Sequence, residues 1–95
     1  MKEKVPLISV IMNCYNGEKY LTESINSLIS QTHKNWELIF WDNQSADNSA
    51  ATIQQYKDSR IRYFYANEHT ELGTARRKAA EQATGEWIGV LDVDD

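Results

Sequence analysis

Three carboxylates stand within the last four residues of the chain, at Asp92, Asp94 and Asp95. Carboxylates crowded this closely repel one another, and each favours its protonated form unless a cation compensates the charge. Mg²⁺ and Mn²⁺ bind carboxylate oxygens together with phosphate oxygens. Because the carboxylates follow an apolar run at residues 87–91, they predict a divalent-metal site at a strand end. The alternatives are a solvated acidic tail and a helix cap.

Polar residues also follow two earlier apolar runs. Asn13-Cys14-Tyr15-Asn16-Gly17 comes after residues 7–12, and Asp42-Asn43-Gln44-Ser45 comes after residues 36–41. The side chains of Asp42 and Asn43 can bind the edge of a base or a ribose, although Asp, Asn and Ser equally favour turns and caps. Arg76 could approach a phosphate or a carboxylate of the site. Its neighbours Arg77 and Lys78 are better explained as a solvated helix face.

Other reactive or bulky residues carry weaker signals. His33 and His69 lie in predicted loops with no partner at ligand spacing, so neither is assigned a chemical role. Cys14 is expected to be a small buried thiol. The tryptophans lie in or beside apolar runs and are expected in the core: Trp36, Trp41 and Trp87.

The elements that must position these residues alternate along the chain. Apolar runs predict strands near residues 7–12, 36–41, 60–66 and 87–91. Periodic apolar positions predict helices near residues 18–30, 48–57 and 71–83. The order β-α-β-α-β-α-β predicts an α/β, Rossmann-like parallel sheet with helices on both faces and right-handed crossovers.

A strand order of 3-2-1-4 would determine where in the sheet the ligand site lies. Ligands of such sheets bind at the carboxyl ends of the strands, where the strand order reverses. With this order the reversal lies between the first and fourth strands. Asn13 is then expected beside Asp92.

Bulk properties exclude several classes of protein. The chain has 95 residues, a formal net charge of −4 and one cysteine. Without a basic patch, nucleic acid is not expected as a partner. No intrachain disulfide can form, and no apolar run approaches the roughly 20 residues of a membrane span. We therefore expect a cytoplasmic location, with peripheral association at the inner face of the membrane left open for a full-length protein.

Taken together, these segments resemble the family 2 glycosyltransferases, which have the GT-A fold. The resemblance runs from Ile8 to Asp95. It is carried by residues 9–16, by Ser27-Leu28-Ile29-Ser30-Gln31-Thr32, by residues 37–47, by Gly73-Thr74-Ala75-Arg76 and by residues 83–95. Each stretch is weak alone, but their order and spacing are specific.

The resemblance implies that a sugar is transferred, with inversion, from a nucleotide diphosphate sugar to a glycan, lipid or polysaccharide acceptor, assisted by Mg²⁺ or Mn²⁺. It implies that the metal lies at Asp94 and Asp95. The donor contacts that it implies are Asn13, Tyr15, Asn16, Asp42, Asn43, Arg76, Asp92 and Asp94. Asn43 stands where the family usually has Asp, and an amide both donates and accepts. Uracil, thymine and guanine therefore stay open as the base.

Family members continue for well over ~100 residues beyond this point, with the acceptor site and a carboxylate base. We therefore expect residues 1–95 to form one truncated donor-binding domain that has no catalytic residue and is inactive alone. The fourth strand would expose an apolar edge, which predicts self-association.

Two other classes were weighed. A receiver-type regulatory module with a flavodoxin-like sheet also clusters acidic residues around Mg²⁺, but the chain offers no late strand with the lysine such modules need. A dinucleotide-binding oxidoreductase needs a glycine-rich first turn, which residues 13–17 lack.

Overall fold

The computed structural model describes residues 6–91. Strands and helices alternate in it as the sequence predicts. The strands are β1 (Ile8–Cys14), β2 (Trp36–Asp42), β3 (Ile61–Tyr65) and β4 (Trp87–Val90). The helices are α1 (Glu18–Ser30), α2 (Ser49–Gln54) and α3 (Leu72–Ala80).

The four strands form one parallel sheet in the order β3-β2-β1-β4. Ile8 pairs with Trp36 on one side and with Trp87 on the other, so β1 is central. The strand order reverses between β1 and β4. The α/β class and the strand order expected from the sequence are confirmed.

Helices cover both faces of the sheet. On one face, α1 buries Leu21, Ile25 and Leu28, and α2 buries Ile53, against alternate residues of β1 and β2. On the other face, Ala79 of α3 packs on Ile11 and Ile39. Small residues let α3 approach the sheet closely, because Ala75 and Ala79 are fully buried. Among residues 6–91, no helix has the length and apolarity that crossing a membrane requires.

Two helices end earlier than their periodicity predicts. Helix α3 stops at Ala80, three residues before the expected end. The residues just beyond it have other partners, because the carbonyl of Gln82 accepts from Arg62 Nη1 (2.8 Å) and Thr84 N donates to Glu37 Oε2 (2.7 Å). These long-range contacts stop the helix and leave no trace in local periodicity. Helix α2 ends at Gln54 rather than near residue 57.

The expectation that all three tryptophans are core residues is wrong for Trp87. Trp36 is 1% exposed, whereas Trp87 is 65% exposed. Trp87 lies on β4, whose strand neighbour among the described residues is β1 alone. Apolarity predicted a strand correctly but could not show that the strand lies at the edge of the sheet.

A buried carboxylate links several segments at the amino-terminal ends of the strands, the amino edge of the sheet. Ser9 Oγ donates to Glu37 Oε2 (2.6 Å), Thr84 donates to it through N and Oγ1 (2.7 and 3.0 Å), and Arg62 Nη1 donates to Oε1 (3.0 Å). Burial alone would raise the pKa of Glu37, but these hydrogen bonds together outweigh it and hold the pKa below its ordinary value. These hydrogen bonds therefore favour the ionised form of Glu37 in the folded protein.

Gly85 completes this network where only a glycine fits. Its N–H donates to Ser9 Oγ at 2.8 Å. A Cβ at this position would lie 2.6 Å from the carbonyl oxygen of Leu7 and 2.7 Å from Ser9 Oγ. The connection from α3 to β4 can therefore pass close to β1 only with glycine here.

Candidate functional site

A cavity of about 250 Å³ opens at the carboxyl edge of the sheet, beside the point where the strand order reverses. The end of β1 and the segments after β1, β2 and β3 supply its walls. The residues that line it are Asn13, Cys14, Tyr15, Asn43, His69, Thr70, Glu71 and Leu72. Strand ends at a reversal of this kind are where ligands of open α/β sheets bind.

The loops after β1 and β2 are joined by hydrogen bonds. Asn16 N donates to Ser45 Oγ (2.9 Å), and Ala46 N donates to Asn16 Oδ1 (2.7 Å). Asn16 and Gln44 both have positive φ, 52° and 63°. Asparagine tolerates this left-handed region better than most residues. Asn16, predicted to contact the donor, therefore joins the two loops and does not line the cavity.

Polar groups of Asn13 and Thr70 that line the cavity are buried without a partner among the described residues. The amide of Asn13 has no hydrogen-bond partner at Oδ1 or Nδ2 among residues 6–91, and neither has Thr70 Oγ1. Leaving a buried polar group unpaired costs about 1–3 kcal/mol. Groups left unpaired beside an open cavity are suited to bind a ligand there. Asn13 was predicted from the sequence, and Thr70 was not.

Two aromatic rings form one wall of the cavity. The rings of Tyr15 and His69 meet edge to face, with 4.5 Å between their centroids and a 61° angle between their planes. Tyr15 is 55% exposed, so much of its ring is free to contact a ligand. His69 Nδ1 lies 3.0 Å from the backbone carbonyl of Asn43. His69 is a site residue that the sequence did not reveal, because the tertiary fold brings its loop beside Tyr15.

Asn43 holds the loop after β3 in place. Its Nδ2 donates to the carbonyl of Thr70 (2.7 Å), and its Oδ1 accepts from Thr70 N (3.1 Å). A carboxylate at this position could only accept. The amide is therefore required for both bonds, which gives Asn43 a role in the fold at a position predicted to contact the base.

Asp42, also predicted to contact the donor, is fully buried at the end of β2. Its Oδ2 accepts from the hydroxyl of Tyr63 (2.7 Å) and its Oδ1 accepts from Ser45 N (2.8 Å). Burial and then the bond to Asp42 raise the pKa of Tyr63 far above its ordinary value, so Tyr63 stays protonated. Asp42 shapes the loop after β2 and does not line the cavity.

The remaining predicted residues lie elsewhere. Arg76 is exposed on α3 and does not line the cavity. Asp92, Asp94 and Asp95, with the metal site assigned to them, lie outside the described residues. Pairing with β1 carries β4 toward the site, since Leu91 N donates to the carbonyl of Ile11 at 2.9 Å. Within residues 6–91, no group of three or more His, Cys, Asp or Glu side chains could hold a metal ion.

The geometry fits part of a planar, polar ligand. Aromatic rings offer a face or edge to a flat ring, and the Asn13 amide can both donate and accept. The volume of about 250 Å³ falls below the roughly 300–1,000 Å³ of pockets that enclose a whole drug-sized ligand. The cavity therefore suits one ring system of a larger molecule.

Comparison with known proteins identifies a sequence family and related enzymes. The model of glycosyl transferase family 2 matches residues 9–95. WfgD from Escherichia coli, a UDP-Glc:alpha-D-GlcNAc-diphosphoundecaprenol beta-1,3-glucosyltransferase, is 40% identical over 90 residues. The alignment covers 94% of this chain and 35% of WfgD, so the chain spans about a third of the length of that relative.

Solved structures share the fold. TarS from S. aureus, crystallised in complex with UDP-GlcNAc, superposes with a TM-score of 0.86 at 31% identity over 92% of this chain and 26% of that chain. The mannosyltransferase PcManGT from Pyrobaculum calidifontis, in complex with GDP-Man and Mn²⁺, gives a TM-score of 0.87 at 22% identity over 94% of this chain and 28% of that chain. The second likeness concerns the fold alone.

Proposed function

Because the chain belongs to glycosyl transferase family 2, we propose that it is the donor-binding part of an inverting glycosyltransferase that acts on a nucleotide diphosphate sugar. The observation that carries the proposal is the cavity at the strand-order reversal. There Asn13 and Thr70 hold polar atoms that have no partner in the part of the chain that the structure describes, beside the exposed ring of Tyr15. A nucleobase has both the flat ring and the polar edge that these groups can bind.

Related proteins support this donor class. WfgD takes UDP-Glc according to its name, and TarS was crystallised with UDP-GlcNAc. We assign the base to the cavity, with Asn13 on its polar edge and Tyr15 on its ring. The sugar diphosphate would extend toward Arg76 and the carboxylates Asp92 and Asp94. The acceptor is a glycan, lipid or polysaccharide hydroxyl.

The metal part of the proposal rests on the chemistry of the terminal carboxylates. Asp94 and Asp95 are assigned as the residues that hold Mg²⁺ or Mn²⁺, whose preferred ligands are oxygens. A metal bound there would neutralise charge on the diphosphate leaving group.

In this proposal the chain contributes binding and orientation. A base fixed between the Tyr15 ring and the Asn13 amide would restrict the rest of the donor, and holding a reactant in place lowers the entropic part of the barrier. Asn16 joins the loops after β1 and β2 by hydrogen bonds, and these bonds fix the positions of the two groups relative to each other. The acceptor hydroxyl and the base that deprotonates it are assigned to parts of the enzyme outside these 95 residues, and the 95 residues alone are predicted to be inactive.

Isothermal titration calorimetry on the full-length enzyme tests the proposal. UDP-, dTDP- and GDP-sugars are titrated with Mn²⁺ and again with EDTA. We expect one donor class to bind, and to bind more weakly in EDTA because the diphosphate would lose its counterion. If no donor binds with the metal present, the proposal is wrong.

A partner and a location are proposed with it. Trp87, Ile88 and Val90 of β4 are all more than half exposed. Exposed apolar edge strands tend to pair with another chain. We therefore propose that the 95-residue chain associates with a second copy of itself through β4. Light scattering that shows only monomer at millimolar concentration would contradict this. The cytoplasmic location stays a prediction.

A further inference from the structure

His69 has features of a residue that contacts the donor and distinguishes between bases, although no sequence motif marks it. It lines the cavity, its ring contacts Tyr15, and its Nδ1 is fixed by the backbone of Asn43. The loop that carries it is held by two hydrogen bonds between the Asn43 side chain and the backbone of Thr70. His69 is therefore placed by its surroundings rather than left to rotate in a free loop.

The bond to Asn43 determines which nitrogen of His69 carries the proton. A carbonyl oxygen only accepts, so Nδ1 must be the donor in this 3.0 Å contact. In a neutral imidazole with its proton on Nδ1, the other nitrogen, Nε2, is an acceptor. His69 has no second hydrogen bond among the residues that the structure describes, and its side chain is exposed at the cavity.

An acceptor in this position distinguishes two classes of nucleobase. Uracil, thymine and guanine each carry a ring N–H next to a carbonyl, and this N–H can donate to Nε2. Cytosine and adenine present an unprotonated ring nitrogen at the corresponding place, which would face Nε2 lone pair to lone pair. The neighbouring amide of Asn43 is held toward the Thr70 backbone by one bond from its Nδ2 and one to its Oδ1, which fixes its orientation, whereas Nε2 of His69 has no bond of its own among the described residues.

We propose that His69 is a specificity-determining residue whose Nε2 accepts a hydrogen bond from the ring N–H of a keto nucleobase, selecting uracil, thymine or guanine donors over cytosine and adenine donors. The inference rests on the proposed function, because it assumes that a nucleotide occupies the cavity. It adds the residue that selects among bases and the hydrogen bond by which it does so.

The experiment measures selectivity rather than affinity. Calorimetry on the full-length enzyme compares UDP with CDP and GDP with ADP, for wild type and for His69→Phe, which keeps a ring but has no acceptor. We expect the wild type to bind the nucleotide with the keto base more tightly. In His69→Phe the ratio of the two dissociation constants should fall about tenfold, which is the effect of losing one neutral hydrogen bond. His69→Gln, which restores an acceptor oxygen, should recover part of it.

A ligand-side change sharpens the test. N3-methyl-UDP lacks the ring N–H, so wild type should bind it about tenfold more weakly than UDP, whereas His69→Phe should distinguish the two little. Glu68→Gln, an exposed change in the same loop, serves as control and should keep the wild-type preference. A purely structural role for His69 would weaken all nucleotides equally.

The outcomes separate this inference from the proposed function. A wild type that binds no nucleotide diphosphate overturns both. A wild type that binds UDP or GDP with a preference that survives in His69→Phe overturns the inference alone.

Discussion

The two edges of the sheet bury polar groups in opposite ways. At the amino edge, both oxygens of Glu37 accept hydrogen bonds, and Gly85 N satisfies the hydroxyl of Ser9. At the carboxyl edge, the Asn13 amide and the Thr70 hydroxyl are buried with no partner among residues 6–91. Both edges are polar, and only the second adjoins the cavity with the aromatic wall.

The contrast shows that buried polarity alone does not identify a binding site. A satisfied network stabilises the fold, whereas unpaired groups are retained at a cost in stability and become useful when a ligand pairs with them. Unpaired atoms must also converge on a cavity. The indole N–H groups of Trp36 and Trp41 also have no partner within the described range 6–91, but neither tryptophan lines this cavity.

The largest expected effect is on the amino edge. Glu37→Ala removes the acceptor for Ser9, Thr84 and Arg62 together, leaving several donors unpaired. We expect the free energy of unfolding, measured by urea denaturation, to fall by about 3 kcal/mol, near the low end for a broken buried pair because Arg62 is partly exposed. Glu23→Ala, an exposed change on α1, should shift it by less than about 0.5 kcal/mol. If Glu37→Ala lowered the free energy of unfolding by less than about 0.5 kcal/mol as well, the hydrogen bonds at the amino edge would not stabilise the fold as proposed.

The carboxyl edge should respond in the opposite direction. Asn13→Leu replaces an unpaired amide by an apolar group of similar size. We expect the free energy of unfolding to stay level or rise by up to about 1 kcal/mol, while donor nucleotide binding weakens about tenfold. Denaturation and calorimetry on the same preparation measure both quantities. Lower stability with unchanged binding would place Asn13 in the same structural class as Glu37.

The smallest expected effect depends on pH. Because the folded-state pKa of Glu37 lies below its ordinary value of 4.5, its ionised form stabilises the fold above that value, and this contribution is lost as the pH falls through the folded-state pKa. Wild type should therefore exceed Glu37→Gln in stability at neutral pH, and the gap should narrow in acid. A gap that stays constant down to pH 3 would show that charge at Glu37 contributes nothing.

Sequence patterns predicted the framework well because its elements have local causes. Continuous apolar runs mark buried strands, and Leu21, Ile25 and Leu28 mark the inward face of α1, so the order of elements followed from local patterns and is confirmed. The strand order 3-2-1-4 was supposed for such a sheet and has no local cause, and it is confirmed as well. The exposure of Trp87 and the early end of α3 were missed, since both depend on contacts between distant segments.

Of the predicted site residues, the structure places Asn13, Tyr15 and Asn43 around the cavity. Asp42 is buried and bonded to Tyr63, and neither Asp42 nor Arg76 lines the cavity. Their roles toward a donor stay predictions. His69 and Thr70 gave no signal in the sequence, because a single histidine or threonine in a loop gains meaning only when folding brings it beside a partner.

The position of β1 also has a consequence for how the protein is made. The ribosome produces this central strand before either of its neighbours, and β4 emerges only after β2, β3 and the three helices have been made. Gly85 bonds to Ser9 across 76 residues of sequence, so one side of β1 stays unpaired while the ribosome makes the intervening residues. Contacts this distant in sequence slow folding, and a nascent chain holding an unpaired apolar strand is exposed to aggregation for the same interval.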